Sequence, residues 1–140
     1  MYPTEETERL CSNQCAQIIY DWAYEKFRML PSSGRVIQAY FKDESALTPL
    51  FKIQGFLKID DTNLESTLTL REQDIEKIIF ESLTLNSDKP IAAVQIDYYM
   101  YTDSDQERIV NFNGVNLAYN REVSRSRRAD DLFPSAIDDV

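Results

Sequence analysis

Residues 91–120, IAAVQIDYYMYTDSDQERIVNFNGVNLAYN, decide the fold class. From residue 91 to 102 the side chains alternate. Ala92, Val94, Ile96, Tyr98 and Met100 line one face of a strand, and Gln95, Asp97, Tyr99 and Tyr101 line the other. Residues 103–106 are turn formers, and an apolar alternation resumes at Val110 and Phe112. It then changes phase at Asn113-Gly114. A type I′ turn there, or a bulge inside one longer strand, leaves Val110, Phe112, Val115 and Leu117 on one face. The bulge is preferred because it avoids two very short strands.

Outward from this hairpin, residues 50–59 alternate, with Phe51, Ile53, Leu57 and Ile59 opposite Lys52, Gln54 and Lys58. Gly55 interrupts that strand, where a bulge or bend is the usual reason. Residues 35–42 alternate as well, residues 60–63 form a turn, and residues 64–69 form a weaker strand. Thr69 and Glu72 stand at capping-box spacing ahead of a helix whose stripe is Ile75, Ile78, Ile79 and Leu83. Residues 5–30 read as one long helix: Leu10, Cys11, Cys15, Ile18, Ile19, Trp22, Ala23 and Phe27 recur at helical spacing, and residues 31–34 end it. At about 1.5 Å per residue it would span roughly 39 Å, which suits a helix laid across a sheet.

The expected fold is therefore α+β: a long N-terminal helix on a mainly antiparallel sheet of four or five strands, with a second helix between strands three and four. Residues 1–120 form a single domain in this reading, and residues 121–140 a flexible tail. The element order α-β-β-β-α-β-β is similar to two architectures, the small acidic dimeric chaperones of type III secretion and the cystatin or nuclear-transport-factor-2-like cone. The likeness is one of element order with no shared motif, so it implies no function by itself.

Composition narrows the chemistry. The chain has 140 residues, a formal charge of −9 and no histidine. A net polyanion is a poor general binder of phosphate backbones, so nucleic acid is not an expected partner. Without histidine, the commonest general acid–base group and metal ligand is missing. The only glycines are Gly34, Gly55 and Gly114, and no phosphate-cradling loop, dinucleotide fingerprint, nucleophile elbow or zinc signature can be written around them. No cofactor is expected. Cys11 and Cys15, both placed in the long helix, read as buried small hydrophobes and not as half of a metal site, and they favour a reducing, cytoplasmic setting. No apolar run approaches the roughly 18 residues that span a bilayer.

Two groups of residues are candidates for binding. Asp97, Tyr99 and Tyr101 share one strand face. On a solvated outer face, the tyrosines make a protein-binding surface; lining a cup, the three could hold a small molecule or place Asp97 as a base. The outer-face reading is favoured, because the opposite face is the more apolar. The second group lies in the tail. Arg125, Arg127 and Arg128 cluster near Ser124 and Ser126, where phosphorylation would weaken a basic grip, and Leu132 and Phe133 sit among aspartates like a short docking motif. The aspartates at 60–61 and 103–105 are explained by turn chemistry without a calcium loop. Together these features give a non-catalytic module, expected as a homodimer, that engages a basic or apolar protein partner. A pocketed small-molecule binder or histidine-free enzyme is the alternative, and an acidic mimic of nucleic acid is a weaker one.

Overall fold

The computed structural model describes residues 5–32, 34–86 and 90–120, with Glu5, Glu6, Asn86 and Asn120 given by backbone alone. The fold is α+β, with two helices and antiparallel sheets among the described residues. The elements are β1 (Glu5–Leu10), α1 (Ser12–Phe27), β2 (Leu30–Pro31), β3 (Gln38–Tyr40), β4 (Leu50–Ile59), β5 (Thr62–Leu70), α2 (Glu72–Asn86), β6 (Ile91–Thr102) and β7 (Arg108–Asn120). One sheet has the order β1-β7-β6. In the other, β4 pairs along its length with β5, while β2 and β3 share its opposite edge.

The 91–120 hairpin forms as its alternation dictates, with the phase change taken up by a bulge. Asp97 pairs with Gly114 and Tyr98 with Phe112, so Asn113 is the extra residue and β7 continues as one strand. Val110, Val115, Leu117 and Tyr119 are buried in consequence, with Phe112 packed against the core. Gly114 has φ +110°, and a Cβ there would meet the Leu10 carbonyl oxygen at 2.1 Å. Only glycine tolerates both conditions. The crossing chain is the β1–α1 junction, so the bulge fixes where β1 stops pairing, at Leu10 opposite Val115.

The expected helix over 5–30 is corrected at both ends. Residues 5–10 form a strand, and α1 covers only Ser12–Phe27. Before Leu10 the apolar stripe has no members, whereas residues 115–120 of β7 present unpaired backbone groups that pairing with β1 satisfies. At the other end, Arg28 takes a left-handed conformation, φ 60° and ψ 30°, and its N–H bonds the Tyr24 carbonyl at 2.8 Å. The chain then turns back as β2. Gly55 lies beneath it: a Cβ would come within 2.2 Å of the Leu30 carbonyl oxygen. Close approach of β2, and not a bulge, is the reason for that glycine.

β5 runs to Leu70, one residue beyond expectation, because Leu70 is buried opposite Phe51. The cap of α2 shifts accordingly. The Arg71 N–H donates to Asp74 Oδ2 at 2.9 Å, and Thr69 and Glu72 form no box. The Arg71 guanidinium, and then this backbone hydrogen bond, hold the Asp74 carboxyl below the usual range. Among the described residues seven strands form where four or five were expected, which places α2 between β5 and β6, although its position in the sequence is as read.

One core joins these layers. Cys15, Ala16, Ile19, Tyr20 and Ala23 from α1 meet Phe51 and Ile53 from β4, Ile75, Ile78 and Ile79 from α2, and Ile96, Val115, Leu117 and Tyr119 from the first sheet. Tyr20 also closes a gap in the second sheet. Between β2 and β3 the edge of β4 is bare at Gln54. There the Tyr20 hydroxyl donates to the Gln54 carbonyl at 2.9 Å and accepts its N–H at 3.1 Å. Cys15 is fully buried and its thiol is pushed up to about 12, chiefly by burial. Cys11, expected to be buried, is exposed at the N-cap of α1. Among the described residues no helix is long and apolar enough to cross a membrane.

Candidate functional site

β6 presents its two faces and its outer edge differently along its length. Over the first half, α2 lies beside it. Ile96 is buried, its N–H donates to Glu76 Oε2 at 2.9 Å, and the Tyr98 hydroxyl donates to Glu72 Oε2 at 3.0 Å. Burial, and then the Glu72 carboxylate, raise the Tyr98 phenol above its ordinary value. Tyr98 is the last side chain of β6 to reach the core, where its ring lies 6.1 Å from that of Phe51.

Past Tyr98 the strand outruns the helix. Tyr99, Met100 and Tyr101 are 54%, 52% and 49% exposed, so apolar groups stand free on both faces of one short segment. Met100, expected on the core face, keeps its face but not its burial, because no core extends beneath it. Tyr99 and Tyr101 stack at 6.2 Å between centroids with an interplanar angle of 22°. Two rings held together in this way already form an ordered platform, which reduces the entropy lost on binding.

Asp97 shares the tyrosine face and is committed to the structure. Arg9 Nη1 lies 2.9 Å from Asp97 Oδ2, and the Asn113 side-chain amide donates to the same oxygen at 3.1 Å. Arg9 also donates to the Asn116 side-chain oxygen at 3.2 Å and to the Asn113 carbonyl. One guanidinium thus ties β1, β7 and β6 together across the outer face, and the bulge turns Asn113 towards it. Both partners of the ion pair are partly exposed, so it contributes at most about 1 kcal/mol. Arg9 could not be found from the sequence, because the helix expected over residues 5–30 hid the β1–β7 pairing that brings it there.

The hairpin turn gives the platform an acidic end. Asp103 Oδ1 accepts the Asp105 and Glu107 N–H groups, each at 2.9 Å, and oxygens of all three carboxylates lie within 4.8 Å of one another. The backbone bonds explain this cluster as a turn. Two grooves lie elsewhere. One of about 560 Å³ is lined by Arg35, Gln38, Tyr40, Lys52 and Asn111 among others, and one of about 360 Å³ by Tyr20, Asp21, Tyr24 and Arg35 among others. Asp97, Tyr99 and Tyr101 line neither. The structure therefore keeps these three residues on one face of β6, with both tyrosines half-exposed and outside these two grooves. Arg125, Arg127, Arg128, Leu132 and Phe133 lie outside the described residues.

No protein-family description, curated protein or solved structure matches this chain.

Proposed function

We propose that this protein is a non-catalytic binding module, acting as a homodimer, that takes a basic polypeptide segment on the outer face of the β6–β7 hairpin. The observation that carries the reading is the stacked, half-exposed Tyr99–Tyr101 pair beside the carboxylates of Asp103, Asp105 and Glu107. Tyrosine faces attract guanidinium and ammonium groups, and carboxylates at the rim steer and pair them. The charge of −9 extends that steering over the whole molecule. A cytoplasmic setting belongs to the proposal, supported by the exposed free thiol of Cys11.

Two observations weigh against the pocketed alternative. Asp97 spends its charge on Arg9 and Asn113, and it lines neither of the two grooves described above. The test is affinity purification of the full chain at low salt, wild type beside Tyr99→Ser/Tyr101→Ser. Recovery of a polypeptide that the double variant and added salt both release supports the module. Recovery of the same polypeptides by both chains, or of none by either, overturns it.

A further inference from the structure

We propose that residues 98–102 of β6 are the dimer seam: two copies pair antiparallel along this edge, with the two-fold axis at Met100. The inference deepens the proposed function, naming the surface behind its dimer, and it begins with the direction of backbone groups. The Ile96 N–H points away from β7, towards Glu76, whereas the Asp103 N–H points back across the hairpin to the Glu107 carbonyl at 2.9 Å. Between these two fixed points β6 is regular, the extra residue of the bulge lying in β7. Alternation then directs the N–H and C=O of Tyr98, Met100 and Thr102 outward. Among the described residues nothing pairs with them. α2, which satisfies the edge at Ile96, does so through Glu76 and reaches no further than Glu72 at Tyr98.

Outer strands are ordinarily blunted by charge, proline, bulges or a covering element. β1 carries Glu8 and Arg9, and β5 carries Glu65. Residues 98–102, YYMYT, carry no charge and no proline. They form an uncharged, unprotected edge in a chain of net charge −9, so the paired residues themselves add no like-charge contact, and the carboxylates of Asp103, Asp105 and Glu107 lie past their end.

The occupant that fits is a second copy. An axis at Met100 sets Met100 opposite its own mate and Tyr98 opposite the second copy's Thr102, so all outward groups find partners. Tyr99 then faces the second copy's Tyr101, and the two stacked pairs join into one ladder of tyrosines on one face, with the two methionines together on the other. The pairing ends where charge begins. Asp97 comes opposite Asp103 of the second copy, but Arg9 neutralises the first and the turn amides hold the second. β7 ends at Asn120, next to the Ile91–Tyr119 pair, at the opposite end of β6 from this edge.

Sedimentation equilibrium of the full chain tests the seam, with Met100→Lys and Met100→Pro measured alongside. A short seam predicts a dimer at about 100 µM protein that dissociates in the low micromolar range. Added salt should tighten it by screening the two −9 charges. Met100→Lys sets two cations face to face, and Met100→Pro removes an N–H that no bond within the fold uses. Each should weaken the dimer at least tenfold, with melting curves reporting that the fold persists; if the proline variant melts early, the lysine variant decides alone. A monomer up to 100 µM, or a dimer that Met100→Lys leaves unchanged, overturns the seam. The two proposals fail separately. A monomeric wild type that still loses its partner on Tyr99→Ser/Tyr101→Ser removes the seam and the homodimer but keeps the binding face, whereas a Met100-dependent dimer with no partner does the reverse.

Discussion

The two halves of β6 have the same alternating pattern and different surroundings. Up to Asp97 the strand has β7 on one side and α2 on the other, and its inward residues Val94 and Ile96 meet the core. Beyond the bulge, Tyr99, Met100 and Tyr101 face solvent on both sides. The boundary falls just past Tyr98, the first residue beyond the bulge and the last that α2 and the core still reach. Alternation fixes which way a side chain points, but its environment depends on which element arrives there. The half that α2 covers serves stability, and the half it leaves open is available for recognition.

The largest test of that boundary is the bulge itself. Gly114→Val places a side chain at φ +110° against the Leu10 carbonyl, and we expect a loss of about 3 kcal/mol or more, visible as a lowered denaturation midpoint or no folded protein. Next comes the pair Ile96→Ala and Met100→Ala. The first empties buried volume and should cost about 2–4 kcal/mol, and the second should stay within about 0.5 kcal/mol. Equal costs in urea denaturation would break the distinction between the halves. Glu76→Ala strips the Ile96 N–H of its acceptor and should cost about 1–2 kcal/mol, with Glu76→Gln recovering most of it because an amide oxygen still accepts.

The smallest expected effect is alkaline. The Tyr98 phenol is raised above its ordinary value of 10.0 in the fold, so the folded state holds this proton more tightly than the unfolded chain does. Its contribution is complete below about pH 10 and is lost as pH rises through the folded value. Melting temperatures at pH 9 and pH 11 should therefore fall less for Tyr98→Phe than for the wild type. An identical fall would detach Tyr98 from the covered half.

Sequence patterns carried much of this. The 91–120 hairpin, the bulge, β4 at residues 50–59 and the apolar stripe of α2 all follow from periodicity, because each has enough alternating or helical positions to average out exceptions. Residues 5–10 did not, since six residues with one apolar side chain, Leu10, have no period of their own. Their state was settled by β7, more than a hundred positions away. The shared face of Asp97, Tyr99 and Tyr101 was legible, but the engagement of Asp97 was not, because its partner Arg9 comes from that misread segment.

By itself, then, the sequence determined the α+β class, the faces of the long strands and the lack of charge in residues 98–102, since these depend on neighbours within a few positions. Tertiary structure alone decided that Glu5–Leu10 is a strand, that Gly55 makes room for β2, that Asp97 is paired with Arg9, and that α2 stops short of Met100. Each of these is a contact between residues distant in the chain. Such contacts are chosen by packing and by the need to satisfy backbone groups, and neither is written in local periodicity.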